Sequence, residues 1–148
     1  MPGGERNVMD DTGQGAVALA VALRDAHFRL KRLARAWEER TPAGSARGRE
    51  SLGPLWQYSD APDDASYTDG HVLGLAGNLT VVFELSIRFR ASGTDMLAGI
   101  SVEDSAGNIA ELLSAGPEEF PLSADDLGIE IGRCLDRMEQ LDLSDVIR

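Results

Sequence analysis

The sequence predicts an α+β fold, a two-layer sandwich in which an antiparallel meander of four to five strands is flanked by a long N-terminal helix and a C-terminal helix. Three patterns indicate this. Apolar residues recur at helical spacing over residues 16–37, apolar and polar residues alternate over 81–90, and a second helical pattern occupies 123–141. Because one helix precedes all the strands and one follows them, the order favours an α+β domain over repeating β–α units.

The first helix is predicted over residues 15–41. Its apolar residues recur at alternating steps of three and four, and the Thr41-Pro42 pair ends the pattern. The members of this stripe are Ala16, Leu19, Leu23, Ala26, Leu30, Leu33 and Trp37. Residues 1–14 contain glycines and paired aspartates but few large apolar side chains, which predicts a flexible tail. Residues 15–148 are then long enough for a single domain with one core.

The strands are predicted within residues 54–114. The alternation is clearest over 81–89, which indicates a strand with one buried face and one mostly polar face. The other strands of the meander are predicted at residues 71–75, 96–103 and 108–114, because short turn sequences separate these segments from one another.

Three further segments lie between the first helix and this meander. Residues 42–53 are rich in glycine, serine and arginine, which predicts a flexible basic connector. Residues 54–59 predict a short strand, and residues 61–69 predict an acidic loop.

The faces of the strands predict the turns between them. If residues 81–89 and 96–102 share the core face, a four-residue loop at 91–94 places Arg90 opposite Asp95. The next turn is predicted as a three-residue loop at 105–107, with Gly107 in a left-handed conformation. Apolar side chains then also point outward on the second face, and these are Val82, Leu97, Ile109 and Leu113. This second face is therefore predicted to be covered by a partner or another element.

The second helix is predicted over residues 123–141. Ser123 and Asp126 form an approximate capping box at its start. Its apolar stripe consists of Leu127, Ile131, Cys134, Met138 and Leu141. Gly128 and Gly132 lie one turn apart, which predicts a close approach to the element packed beneath the helix.

Charge is divided unevenly along the chain. Residues 1–49 carry nine basic and six acidic residues, whereas residues 50–148 carry five basic and nineteen acidic ones. The basic residues Arg24, Arg29, Lys31, Arg32 and Arg35 flank the apolar stripe of the first helix. The acidic remainder would repel phosphates, so nucleic acid is an unexpected partner, and a protein with a basic surface is favoured. Part of the basic helix is expected to be neutralised by its own domain or by that of a second copy.

No motif of a known catalytic, metal or cofactor site is present in the sequence. His27 and His71 lack the spacing of metal ligands, and the aspartates of residues 60–69 lack the pattern of a calcium loop. Cys134 lies on an apolar helical stripe, which favours a packed thiol. We therefore expect no catalytic residues, no metal and no cofactor, and favour a protein that is not an enzyme.

Two small groups of residues remain as candidate sites. His71, Glu84 and Arg88 are the polar groups of a hypothetical pocket between sheet and helices. Trp56 and Tyr58 alternate in a short segment, and binding to a partner and packing on the core explain them equally well.

The sequence favours a protein–protein interaction module, such as a chaperone-like adaptor, an immunity factor or an accessory subunit. Its partner-binding residues would be Val82, Leu97, Ile109, Leu113, Trp56 and Tyr58. The alternative is a small-molecule-binding or catalytic domain, as in a biosynthetic pathway. A single cysteine, the absence of a signal peptide pattern and arginine-rich composition favour a cytoplasmic bacterial protein, and the apolar stripe of the first helix is compatible with a homodimer.

Overall fold

A computed structural model of the chain describes residues 3–41, 46–58, 60, 64–114, 118–120 and 124–141. Its elements in chain order are α1 (Gly3–Arg40), β1 (Ala46–Ser51), β2 (Leu55–Tyr58), β3 (Asp64–Leu75), β4 (Leu79–Arg90), β5 (Gly93–Glu103), β6 (Ile109–Ser114), β7 (Glu118–Phe120) and α2 (Ala124–Gln140). The predicted α+β class is confirmed: along the chain, α1 precedes the strands of one antiparallel sheet and α2 follows them.

All the strands belong to one antiparallel sheet. The three long strands β3, β4 and β5 form its centre, and β1 and β6 lie at the two ends of the order β1-β3-β4-β5-β6. Each edge consists of two shorter strands: β1 and β2 both pair with β3, and β6 and β7 both pair with β5. The predicted meander therefore forms the middle of the sheet.

The first edge and the strand beside it correct two predictions. Residues 46–51 belong to the predicted flexible connector but pair with residues 71–75 as β1. Asp64 begins β3, so residues 64–69 of the predicted acidic loop are paired with β4 instead. Composition misled the prediction because acidic and glycine-rich sequences favour loops in isolation, whereas here each finds a neighbouring strand.

The turn between β4 and β5 is tighter than predicted. Arg90 lies opposite Gly93, and Arg88 lies opposite Asp95, so only residues 91 and 92 connect the two strands. The predicted four-residue loop is therefore wrong by two positions. A shift of two keeps every side chain on its predicted face, and Arg90 still forms an ion pair with Asp95 along the diagonal.

The turn between β5 and β6 is confirmed. The N–H of Asp104 donates to the carbonyl of Asn108, which closes a three-residue loop at 105–107. Gly107 has a φ of 84°, a left-handed conformation that glycine adopts without a steric penalty. Past the loop, β6 contains an irregularity opposite Ile100 and Ser101, after which Leu113 faces Ile100.

Both helices pack on one face of the sheet, and the core lies between the two layers. The inner side chains of β4 are fully buried there, and Trp37 of α1 packs edge-on against Phe83 with ring centroids 5.1 Å apart. From α2, Leu127, Ile131 and Met138 enter the same core. We call this the inner face of the sheet, and the opposite one the outer face.

The stripe of α1 is buried from Leu23 to Trp37. The helix itself begins at Gly3 rather than at residue 15, so the predicted tail is helical from Gly3 onward. On the same stripe, Ala16 is exposed and Leu19 is half-buried against the core. Among the side chains that the structure describes, α1 is therefore fully packed on the sheet from Leu23 onward.

Arg29 joins the two helices. Its Nε donates to Glu139 at 2.7 Å, and its Nη2 donates to Glu139 at 3.0 Å and to Asp136 at 2.5 Å. The hydrogen bond to Glu139 raises the pKa of Arg29 above its ordinary value, with a further contribution from Asp136. The expected neutralisation of the basic helix within the domain is confirmed at this contact.

The two glycines of α2 are expected to respond differently to alanine. A methyl group at Gly132 would meet nothing within 4 Å, whereas at Gly128 it would lie 3.4 Å from the Cβ of Ala22. Gly132→Ala should raise the free energy of unfolding by about 0.5–1 kcal/mol, because alanine favours the helix, and Gly128→Ala should gain less. Urea denaturation of both variants measures this, and equal gains would contradict the close approach of α1 and α2 at Gly128.

Candidate functional site

The outer face of the sheet carries an apolar patch without any covering element among the described residues. Its most exposed members are Ile109, which is 66% exposed, and Leu97, which is 38% exposed. Val82 lies on the same face and is half-buried. Leu113 was predicted there too, but this prediction is wrong: the irregularity in β6 places it opposite Ile100, and it packs against the core.

Leu97, Ile109 and Leu113 border a groove of about 190 Å³ that runs over β5 and β6. Side chains from β4, β5 and β6 form its walls, and Gly99 and Ser101 form its small-residue floor. Two carboxylates, Glu84 and Glu111, lie in the same groove. The groove therefore combines an apolar surface with negative charge.

The rest of the outer face is also acidic. Its two central arginines are occupied by neighbouring aspartates: Arg88 donates to Asp64 at 2.7 Å and 3.1 Å, and Arg90 pairs with Asp95. By strand register the same face also carries Glu50, Glu84, Glu103 and Glu111. Negative charge is therefore in excess around the groove.

The aromatic pair of β2 lies away from this groove. Trp56 stacks on Phe89 with centroids 5.8 Å apart and contacts Tyr67 at 5.0 Å, so its ring covers the end of the core. Tyr58 is 80% exposed. Trp56 thus has a packing role in the structure while 44% of it remains exposed, and the ring of Tyr58 is more open still.

The sheet separates the three polar groups of the predicted pocket. His71 lies on the inner face opposite Phe83, whereas Glu84 and Arg88 lie on the outer face. His71 is only 5% exposed, and Glu84 accepts a hydrogen bond from Ser86 at 2.8 Å. The three groups do not converge, so they cannot line one pocket.

His71 belongs instead to a buried polar cluster between α1 and β3. At its centre, the carboxyl group of Asp69 is fully buried. Its Oδ2 accepts hydrogen bonds from Nδ1 of His27 at 2.9 Å and from the hydroxyl of Tyr67 at 3.2 Å, and its Oδ1 accepts from the N–H of Gly70 at 2.8 Å. Burial, and then the negative charge of Asp69, raise the pKa of Tyr67 above its ordinary value.

His71 and Arg49 complete this cluster. The ring of His71 lies 6.4 Å from that of His27, and Arg49 on β1 is paired with Leu73, next to His71 on the inner face. Nε2 of His71 and Nη1 of Arg49 are buried without a hydrogen-bond partner among the described residues. Burial lowers the pKa of His71, Asp69 raises it, and the charges of Arg49, His27 and Lys31 lower it again.

The cluster can position α1 on the sheet, because it links the helix to β3 through a buried carboxyl group. In the described part of the chain, no group of three or more His, Cys, Asp and Glu side chains is arranged to hold a metal ion. The acidic composition of residues 61–69 predicted a solvated loop, so the sequence did not indicate a buried role for Asp69 or Tyr67. The alternation of Tyr67, Asp69, His71 and Leu73 could have indicated that both residues face the core, because it continues the inward-facing positions of β3 into the acidic segment.

We compared the chain with models of known protein families, with curated proteins and with solved structures. No match was found. Among the described residues, neither helix offers a stretch that is both apolar and long enough to cross a bilayer. The function of the chain is therefore inferred from the geometry of the outer face and of the buried cluster.

Removal of the Asp69 carboxyl group should destabilise the fold strongly. Asp69→Ala leaves three donors from His27, Tyr67 and Gly70 without their acceptor, which costs about 3 kcal/mol of unfolding free energy. Chemical denaturation checks this, with the exposed Asp60→Ala as a control that should unfold like the native chain. A loss no larger than that of the control would show that the cluster does not hold α1 to the sheet.

Stability should fall as the pH decreases from about 7.5 to 5.5, through the ordinary histidine pKa of about 6.5. The folded state lowers the pKa of His71, so the unfolded chain binds more protons in this range and is favoured by acid. Urea denaturation at several pH values measures the slope. In His71→Gln the slope should be smaller, and an unchanged slope would assign the pH dependence to other groups.

Proposed function

We propose that this chain is a protein–protein interaction module without catalysis of its own, of the adaptor, immunity-factor or accessory-subunit kind. It binds a partner with a basic surface through the outer face of its sheet. The observation that carries this proposal is the groove over β5 and β6, which places exposed apolar side chains beside two glutamates.

Apolar exposure in this groove supports a partner. The side chain of Ile109 lies mostly in solvent, and that of Leu97 is more than one-third exposed. Such side chains contribute to binding when a partner removes them from water, at roughly 25 cal/mol per Å² of apolar area. A cluster of them on a flat sheet face is typical of an interaction surface.

Charge supports the basic character of this partner. Arg88 and Arg90 are neutralised by Asp64 and Asp95, whereas the glutamates around the groove remain in excess. A basic partner would be steered toward this face at low salt, and an acidic one would be repelled.

The alternative function, a pocket between sheet and helices, receives less support. It needs His71, Glu84 and Arg88 to converge, and they lie on opposite faces of the sheet. We therefore favour the interaction module.

A peptide-display selection against the purified chain tests this function. We expect enrichment of peptides that combine Lys or Arg with large apolar residues, because these complement the groove. The double variant Leu97→Ser, Ile109→Ser removes the apolar contacts without adding charge and should bind the selected peptides at least about tenfold more weakly.

The matched control is Ile129→Ser on α2, which changes a side chain of similar exposure, 61%, on the helical side of the molecule. It should bind the peptides as the native chain does. The proposal would be wrong if no basic peptides were enriched, or if the control lost binding as completely as the groove variant.

A further inference from the structure

A second stripe runs along α1 on the side that faces away from the core. Its members recur at alternating steps of four and three, the same spacing as the buried stripe, so they share one line on the helix surface. All of them are exposed. They are Val17, Val21, Arg24, Phe28, Lys31 and Arg35.

This stripe, which we call the outer stripe of α1, combines apolar and basic side chains. Val17 is 62% exposed, and the guanidinium carbon of Arg24 lies 5.0 Å from the ring centroid of Phe28. Arg29, the residue that α2 neutralises, lies off this line. The ion pairs between α1 and α2 at Arg29 therefore do not involve the charges of the outer stripe.

The outer stripe of α1 and the groove on the outer face of the sheet are complementary in chemistry. One presents apolar and basic side chains, and the other presents Leu97 and Ile109 beside Glu84 and Glu111. The groove follows residues 97–101 of β5, about 17 Å at 3.3 Å per residue, so it can contact part of the stripe, which spans about 27 Å at 1.5 Å per residue.

We propose that the partner of the groove is a second copy of this chain, whose outer stripe of α1 lies in the groove of its neighbour. This inference rests on the proposed function, since it assigns an occupant to the same groove. It requires no conformational change, because both surfaces are already exposed in the single chain.

The arrangement fixes the type of assembly. The outer stripe and the groove lie on opposite sides of the two-layer sandwich, since α1 covers the inner face and the groove is on the outer one. One copy therefore binds a neighbour through each surface, which is a head-to-tail contact that can repeat. One helix on one groove forms a small interface, at or below roughly 1,200 Å² in total, so the assembly is weak and concentration-dependent.

Analytical ultracentrifugation with charge-reversal variants tests the inference. The native chain should rise in average mass over about 10–500 µM, the range in which small interfaces assemble. Raising the salt from about 0.05 M to about 0.5 M should weaken the association at least about tenfold, because salt screens exposed charges. Arg24→Glu, Arg35→Glu disables the helix surface, and Glu84→Arg, Glu111→Arg disables the groove, so each variant alone should be a monomer.

A mixture of the two variants gives the sharpest result. Each retains the native surface that the other has lost, and their two reversed surfaces are also complementary in charge, so together they should assemble again. A chain carrying all four reversals should self-associate again. The matched control for the helix variant is Arg40→Glu, Arg137→Glu, which also replaces two arginines by glutamates but lies away from the outer stripe. It should assemble like the native chain.

Three outcomes would overturn the inference: a native chain that stays monomeric at every concentration, a mixture that does not assemble, or variants that assemble as the native chain does. If the native chain stays monomeric while its outer stripe binds anionic phospholipid vesicles, the stripe is a membrane surface instead. If the chain stays monomeric but its groove binds basic peptides, the proposed function stands and only the identity of the partner is wrong.

Discussion

The packing of α1 across the inner face of the sheet is the constraint on which the rest of the molecule depends. Trp37 packs against Phe83 near the C-terminal end of the helix, and the buried stripe from Leu23 onward fills the space between helix and strands. Because α2 lies on the same face, one side of the sheet carries both helices, and the described residues leave the other side open. The outer groove and the outer stripe of α1 are both consequences of this one-sided packing.

The buried carboxyl group of Asp69 gives this packing a specific alignment. An apolar stripe on a helix can slide or rotate by a turn at modest cost, whereas a buried acidic group with three donors fits only where His27, Tyr67 and Gly70 meet. Burying such a group is unfavourable unless it is satisfied. Burial of this carboxyl group costs desolvation free energy, and its three donors define a single position of α1 on β3.

The sequence was sufficient for those features that depend on periodicity. The steps of three and four in α1 and the alternation in β4 both arise from burial of one face, so the helix, the central strands and the outward residues Val82, Leu97 and Ile109 could be predicted. Features that depend on a distant neighbour could not. Ala46–Ser51 is a strand because β3 lies beside it. Asp69 can be buried because His27, 42 residues away in the chain, lies next to it in space and forms a hydrogen bond with it. His71 lies opposite Phe83, so Glu84, the next residue along β4, must point to the other face of the sheet. This could be known only once the pairing of β3 with β4 was established.

The divided edges of the sheet restrict how this protein can associate. The edge beside β3 is interrupted after Ser51, and its two pieces, β1 and β2, are six and four residues long. On the other side, β6 and β7 pair with different parts of β5. A long, straight row of free backbone N–H and C=O groups is what allows foreign strands to add to a sheet and fibrils to grow, and neither edge offers one. Associations of this protein are therefore expected to depend on side-chain identity and to respond to single substitutions, whereas backbone-driven fibril growth is not favoured.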